Sequence, residues 1–221
     1  MKIAFVINTL GRSGAEKVVS ELSIYWQKKG YDVSLIIFDN EVEYPFGGEI
    51  INLDLPSREG FIKRAITLLR RAWNLKQLYN KMQFDLVIAV MESASFPSIL
   101  ANHQTIASNH CNPDVYFSKA EWDISKRLFP KAKQVVCVSK VAMQAFKQKM
   151  PVSTALISIY NPVDFERLKF YAQQPTTIKV EGKYIIAVGR LEQQKRLDRL
   201  LQAYAESKLK NEAKLLILGE G

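Results

Sequence analysis

The 221-residue chain predicts an α/β fold: a doubly wound parallel sheet, followed by the start of a second domain of the same kind. Three observations lead there. The runs Ile3 to Ile7, Val33 to Phe38, Phe84 to Val90 and Gln134 to Val138 are apolar at nearly consecutive positions, as strands covered on both faces are. The segments between them carry apolar residues at threes and fours, the period of a helix. These two patterns alternate along the chain, which marks βαβ units and not hairpins.

The first strand, around Ile3, Phe5, Val6 and Ile7, is bounded by Asn8 and Thr9. A helix follows through Ala15, Val18, Val19, Leu22, Ile24, Tyr25 and Trp26, and Gly30 stops it, since glycine enters the left-handed conformation cheaply. Gly11 and Gly14 lie between strand and helix, with no side chains to keep a ligand from the backbone. At the carboxyl edge of a parallel sheet such a loop meets ligands, and the helix N-terminus attracts anions. The spacing is not GxGxxG, and a purely architectural turn is the competing reading.

Val33 to Phe38 and Ile50 to Leu55 give the next two strands. Phe61 to Tyr79 reads as a helix whose buried stripe holds Ile62, Ala65, Ile66, Leu69, Ala72, Trp73 and Leu75 or Leu78, with Lys63, Arg64, Arg70, Arg71 and Lys76 off the stripe. Such a basic amphipathic helix packs on the sheet with a charged outer face, or lies on anionic lipid. Phe84 to Val90 is a central strand, with Met91 to Ala94 at its carboxyl end. Phe96 to Asn102 reads as a helix with Pro97 in its first turn, where proline's missing donor does no harm.

Gln104 to Ser108 is a strand ending in Ser108-Asn109-His110, and Lys119 to Phe129 a helix closed by Pro130. The strand Gln134 to Val138 leads to Ser139, the N-cap of a helix from Val141 to Lys149, and then to a strand from Leu156 to Tyr160. Phe165 to Lys183 loses the period and gathers Gln173, Gln174, Pro175, Thr176, Thr177 and Gly182, so it reads as a linker. A new βαβ unit opens with strand Tyr184 to Val188, loop Gly189 to Arg196, helix Leu197 to Ser207 and strand Ala213 to Leu218. The expected division is 1–170 and 171–221, the second domain being cut inside a loop.

Hydrophobic content of 48% and charged content of 24% suit a soluble globular protein. The formal net charge of +9 calls for an acidic partner: nucleic acid, an anionic membrane or phosphorylated ligands. Cys111 and Cys137 are the only cysteines, which fits a reducing compartment and argues against a disulfide framework. No apolar run approaches the roughly 20 residues of a spanning helix, and the N-terminus enters a strand directly. The expected location is cytoplasmic, or peripheral on the inner face of the plasma membrane.

Gly189-Arg190-Leu191 with Lys195 follows a buried strand and precedes a helix, an arrangement that suits a diphosphate: arginine gives a forked contact and lysine a point charge. The alternative is an ordinary solvated loop. His110, on the same sheet edge as the Gly11 loop, could pass a proton or hold a sugar hydroxyl, or be structural. His103 reads as structural, and Cys111 does not pair with His110 because neighbours on extended chain point apart. Aspartates never stand two apart, so the simplest DxD metal-diphosphate ligation is missing and no metal is expected. Glu16 either favours the helix dipole or faces the cleft.

Gly11-Arg12-Ser13-Gly14-Ala15-Glu16, Ser108-Asn109-His110, Val138-Ser139-Lys140, Ile159-Tyr160-Asn161-Pro162-Val163-Asp164 and Val188-Gly189-Arg190-Leu191 through Lys195, in this order, resemble the GT4-type glycosyltransferases of the GT-B fold. The resemblance covers nearly the whole chain. It implies two facing Rossmann-like domains, the first for the acceptor and the second for a nucleotide-sugar. It also implies a retaining, metal-independent transfer from a sugar nucleotide, a UDP-sugar by expectation, to a polysaccharide or lipid-linked saccharide in surface polysaccharide or lipopolysaccharide synthesis. By position, Arg190 and Lys195 would hold the donor diphosphate, Gly14 would bring the first helix to the transferred sugar's phosphate, and His110 would contact the sugar. The family's paired-glutamate motif has no counterpart before Gly221, so the chain alone is expected to bind donor poorly and not to turn over. The competing reading is a non-catalytic fragment that binds membrane, through Phe61 to Tyr79, or a partner chain. Nucleic acid is not expected, because no motif for it is present.

Overall fold

The computed structural model describes residues 1–57, 59–102, 104–175 and 179–221, leaving His103, Thr176 and Thr177 outside the described residues. It divides into two compact units, Met1–Val163 and Asp164–Gly221.

In the first unit the elements run β1 (Lys2–Ile7), α1 (Gly14–Lys28), β2 (Asp32–Ile37), β3 (Glu49–Asn52), α2 (Phe61–Met82), β4 (Leu86–Val90), α3 (Glu92–Ala101), β5 (Ile106–Asn109), α4 (Pro113–Tyr116), α5 (Lys119–Leu128), β6 (Gln134–Cys137), α6 (Lys140–Lys149) and β7 (Leu156–Ser158). The strands form one seven-stranded sheet in the order β3-β2-β1-β4-β5-β6-β7. Every neighbouring pair is parallel, with Ile3 opposite Val33 on one side and Leu86 on the other. Strand order reverses between β1 and β4, so the loops leaving those two strands open a crevice where doubly wound proteins bind ligands.

Alternation along β1 supplies both layers. Ala4 and Val6 pack with Ile36, Leu75, Tyr79 and Val87 on one face. Phe5 and Ile7 pack with Val19, Leu35 and Ile37 on the other. A third cluster lies under β5 and β6, where the Phe146 ring meets Phe117, Trp122 and Phe129 at centroid distances of 5.7, 5.6 and 5.6 Å. Burying aromatic side chains of this size supplies much of the folding free energy, and their edge-on geometry adds to it.

Three expectations are corrected. The helix expected from Phe96 begins at Glu92, and Pro97 lies inside it. Interior proline leaves the carbonyl four residues earlier without its helical donor. That carbonyl belongs to Ser93, and it accepts a hydrogen bond from Arg71 Nη1 at 3.3 Å. The compensation comes from a residue 22 positions away, so local pattern could not reveal it.

The inward face of α2 is also different. Ala72, Leu75 and Tyr79 are buried, and Arg71, expected on the outer face, is 3% exposed. Ile62, Ile66, Leu69 and Trp73, expected in the core, face solvent. Arg71 Nη2 donates to Asn8 Oδ1 at 2.9 Å and to the Leu55 carbonyl at 2.7 Å, while Nε reaches the same carbonyl at 2.9 Å. The guanidinium lies 4.0 Å from the Phe38 ring centroid. Burial lowers its pKa to about 10, against the pull of Asp39, so it stays charged at neutral pH.

The second unit contains α7 (Phe165–Ala172), β8 (Tyr184–Val188), α8 (Leu197–Glu206) and β9 (Lys214–Leu218). The stretch read as linker therefore begins as a helix. Asp164 caps it by accepting from Arg167 N at 3.0 Å, and Glu166 pairs with Lys169 at 2.9 Å; no residue of the helix is buried. Local capping sets it, and apolar periodicity had no part to report. β8 and β9 pair in parallel, Ile186 opposite Leu216.

Candidate active site

At the carboxyl edge of the first unit, Ser13 caps α1. Its hydroxyl accepts from Glu16 N at 3.4 Å, and the Glu16 carboxylate accepts from Ser13 N at 2.6 Å, the reciprocal pair of a capping box. The same carboxylate accepts from the Thr9 hydroxyl. Burial works against its charge, but hydrogen bonds from Ser13, Thr9 and the Ser13 and Gly11 backbones outweigh burial and hold the pKa below the usual range. Glu16 thus braces the loop and does not stand free in the crevice. Gly14, the first residue of α1, has open space where a Cβ would stand. A helix N-terminus with room beside it is suited to an anion.

Across the strand reversal, β4 is followed by Met91, whose positive φ of 66° swings the chain into α3. Glu92, first in α3, accepts from Asn109 Nδ2 at 2.8 Å and from the Cys111 thiol at 3.7 Å. Burial raises the Glu92 pKa above the ordinary carboxylate range, against those hydrogen bonds, and the charge of Glu121 adds to the rise.

Asn109, 2% exposed, closes β5 and fixes the turn that carries His110. His110 Nε2 lies 3.0 Å from Ser108 Oγ, and its buried Nδ1 has no hydrogen-bond partner among the described residues. Burial lowers the His110 pKa to about 4, which keeps the imidazole neutral near pH 7. A neutral imidazole with a vacant nitrogen can hold a hydroxyl or take a proton, and an orphaned buried polar atom asks for a partner. Cys111 is pushed up to about 12, first by burial and then by Glu92. Its thiol stays protonated and bonds to Glu92, apart from the histidine.

Beside this edge lies a cavity of about 470 Å³ under α2, α3 and α5, lined by Arg64, Leu68, Arg71, Glu92, Phe96 and Glu121 among others. Glu92 therefore belongs both to the cavity wall and to the support of the His110 turn. Sequence reasoning missed it, although a single carboxylate directly after a buried central strand was the available signal. It also missed Arg71, whose sequence neighbourhood gives no such hint.

Of the expected site residues, the fold brings Gly14 and His110 to one sheet edge. Arg190 and Lys195 belong to the second unit. There, Gly189 N donates to the Leu218 carbonyl and Leu191 N to that of Glu220, both at 2.9 Å, so the turns after β8 and β9 are tied together. Arg190 is paired with Glu192 at 2.7 Å, and the Lys195 stem lies alongside Gly189. Lys195 sits in a 3-10 turn, Gln193–Lys195, which ends at Arg196 in the left-handed conformation.

Parallel α/β units with ligand-competent loops at the carboxyl edge, of the GT-B type, define the class. The chain belongs to Glycosyltransferase Family 4, whose profile matches residues 12–167, while residues 171–221 match Glycosyl transferases group 1. It is 28% identical, over its whole length, to the Campylobacter jejuni N-acetylgalactosamine-N,N'-diacetylbacillosaminyl-diphospho-undecaprenol 4-alpha-N-acetylgalactosaminyltransferase, and covers 63% of that protein. Its fold is similar to the lipopolysaccharide outer core galactosyltransferase WaaB, with a TM-score of 0.70, 17% identity, and coverage of 100% of this chain and 61% of WaaB. It is also similar to Anabaena HepE, solved in complex with UDP and glucose, with a TM-score of 0.67, 15% identity, and coverage of 100% and 61%. The chain thus spans less than two thirds of these relatives.

Proposed function

We propose that the protein transfers a sugar from a nucleotide-sugar to a lipid-linked or polysaccharide acceptor in the synthesis of a surface saccharide. The observation that carries this reading is the carboxyl edge of the seven-stranded sheet, where the uncrowded N-terminus of α1 at Gly14 and the neutral His110 stand on either side of the strand reversal. The name of the Campylobacter relative supports a lipid-linked acceptor, and HepE, solved with UDP, supports a UDP-sugar donor. In this reading the first unit takes the acceptor, with His110 at the transferred sugar, and Arg190 and Lys195 hold the donor diphosphate.

Stabilisation of the leaving diphosphate falls to Arg190, Lys195 and a helix end, so the transfer needs no metal; its expected course is retention. The protein acts at the cytoplasmic face of the plasma membrane. Among the described residues no helix is long and apolar enough to cross a membrane. Alone, this chain is expected to bind donor weakly and not to turn over, since among the described residues of its second unit none is buried, and sparsely packed loops hold a ligand loosely.

Saturation-transfer NMR with UDP- and GDP-sugars detects weak contacts. The expected result is a signal from one nucleotide class that Arg190→Ala with Lys195→Ala removes. No contact from any nucleotide-sugar overturns the donor assignment, and micromolar affinity by calorimetry overturns the claim that the chain alone is insufficient.

A further inference from the structure

The residues on either side of His110 in the chain are joined to each other through Glu92. Asn109 Nδ2 donates to Glu92 Oε1 at 2.8 Å, Asn109 Oδ1 accepts from Cys111 N at 3.4 Å, and the Cys111 thiol donates to the same Glu92 oxygen at 3.7 Å. Carboxylate, amide and thiol thus close a ring of hydrogen bonds around the turn that carries the imidazole. The bond to Glu92 is the shortest of the three, and it decides which way the Asn109 amide faces. Turned over, Nδ2 would meet the Cys111 N–H, donor against donor, and Oδ1 would meet the carboxylate, acceptor against acceptor. Asn109 is buried, so water does not make good a wrong orientation.

Glu92 is itself held through both of its neighbours in the chain. Met91 N donates to the Ser108 carbonyl at 2.9 Å, which ties the residue after β4 to β5, and Arg71 Nη1 reaches the Ser93 carbonyl at 3.3 Å. The carboxylate is therefore delivered to Asn109 from a fixed backbone.

We propose that Glu92 is a positioning residue for His110: by holding the Asn109 amide it fixes the turn, keeps Nε2 against Ser108 Oγ, and leaves one nitrogen, Nδ1, for a ligand. The inference deepens the proposed function, which puts His110 at the transferred sugar, and rests on that reading only for its purpose. Glu92 acts through Asn109 and takes no part in the transfer itself. Glu121 on α5 is a second charge that acts on Glu92, so a glutamine at position 92, which keeps an acceptor oxygen and drops the charge, separates hydrogen-bond geometry from charge.

The chain has two histidines, His103 and His110, so His103→Gln leaves one imidazole for NMR of the ring nitrogens. The spectra are recorded without nucleotide or sugar, so that this test and the donor assignment succeed or fail separately. The parent chain is expected to show a single neutral tautomer, with the ring titrating at about pH 4. Glu92→Ala should release the ring: the two nitrogens should average toward a mixture of tautomers, and the titration should move toward the ordinary value of about 6.5. Glu92→Gln, whose amide oxygen accepts the same bond, should bring the single tautomer back. Glu92→Leu, which keeps bulk and lacks an acceptor, carries the alanine prediction if Glu92→Ala does not fold. An imidazole unchanged in the alanine or leucine variant overturns the proposal. So does a ring as free in Glu92→Gln as in Glu92→Ala, since charge and not the hydrogen bond would then hold the turn. With nucleotide-sugar added, Glu92→Ala should lose saturation transfer to the sugar protons and keep it at the base protons, because Arg190 and Lys195 are untouched; full retention at the sugar beside a released ring removes Glu92 from the transfer.

Discussion

β2 and β8 have nearly the same sequence character, DVSLII and YIIAV, and both form parallel strands, yet the first is buried at five consecutive positions and the second at none. β2 lies between β1 and β3 with apolar clusters on both sides of it. Among the described residues β8 pairs only with β9, and Tyr184, Ile186 and Val188 are 52, 50 and 78% exposed. A continuous apolar run therefore encodes a strand fit for burial on both faces; whether burial follows depends on what the rest of the fold brings to it. The first unit brings two layers of helices. The second, as described, leaves one face of a parallel sheet to water.

The sharpest way to break this comparison is a matched pair of truncations. Ile36→Ala removes a side chain with 0% exposure and should cost about 2–5 kcal/mol. Ile186→Ala, at 50% exposure, should stay within about 0.5 kcal/mol. Trp26, Trp73 and Trp122 all lie in the first unit, so urea unfolding followed by tryptophan fluorescence reads that unit, and hydrogen exchange resolved by peptide reads both. Exchange should be slow in β1 and β2 and fast in β8 and β9. Equal costs for the two truncations, or equally protected strands, would mean that the second unit is as well packed as the first.

The contrast extends to titration. His110, buried at the edge of the first unit, binds a proton in the native state only below about pH 4, while an unfolded histidine does so near pH 6.5. Between those values the unfolded chain carries the extra proton, so stability due to this residue is present above pH 6.5 and is lost as the pH falls toward 4. The full difference is about 3 kcal/mol. The quantity to measure is wild type minus His110→Gln across that range, because Glu92, with its raised pKa, works in the opposite direction. A wild-type curve parallel to the variant's would place His110 in water.

The sequence made the order of strands and helices legible, because burial on both sides of a parallel sheet imposes a run that little else imitates. It also placed Gly14 and His110 on one edge, since every strand of the first unit is parallel and their carboxyl ends must align. What it hid depended on distant partners. The two stripes of α2 share the same helical period, and only the sheet beneath decides which turns inward. Pro97 read as a helix start because the donor that rescues Ser93 lies on another helix. The cavity and Glu92's place in its wall need three helices to be assembled first.

Two glycines give the finest test of the comparison. Gly219, in the second unit, is architecture: a Cβ there would stand 1.8 Å from the Gly189 carbonyl oxygen, and the turn after β9 could not close against the turn after β8. Gly14 answers to no such need, having nothing within 4 Å of its added Cβ and no positive φ. Gly14→Ala should therefore stabilise the first unit slightly, by about 0.4–1 kcal/mol, by restricting the unfolded chain. If its bareness serves a ligand, the same variant should weaken the saturation-transfer signal of the nucleotide-sugar while its unfolding midpoint rises. A folding glycine would lose stability and a binding glycine would lose ligand, so a variant that is more stable and binds unchanged would make Gly14 a plain turn residue and remove α1 from the site.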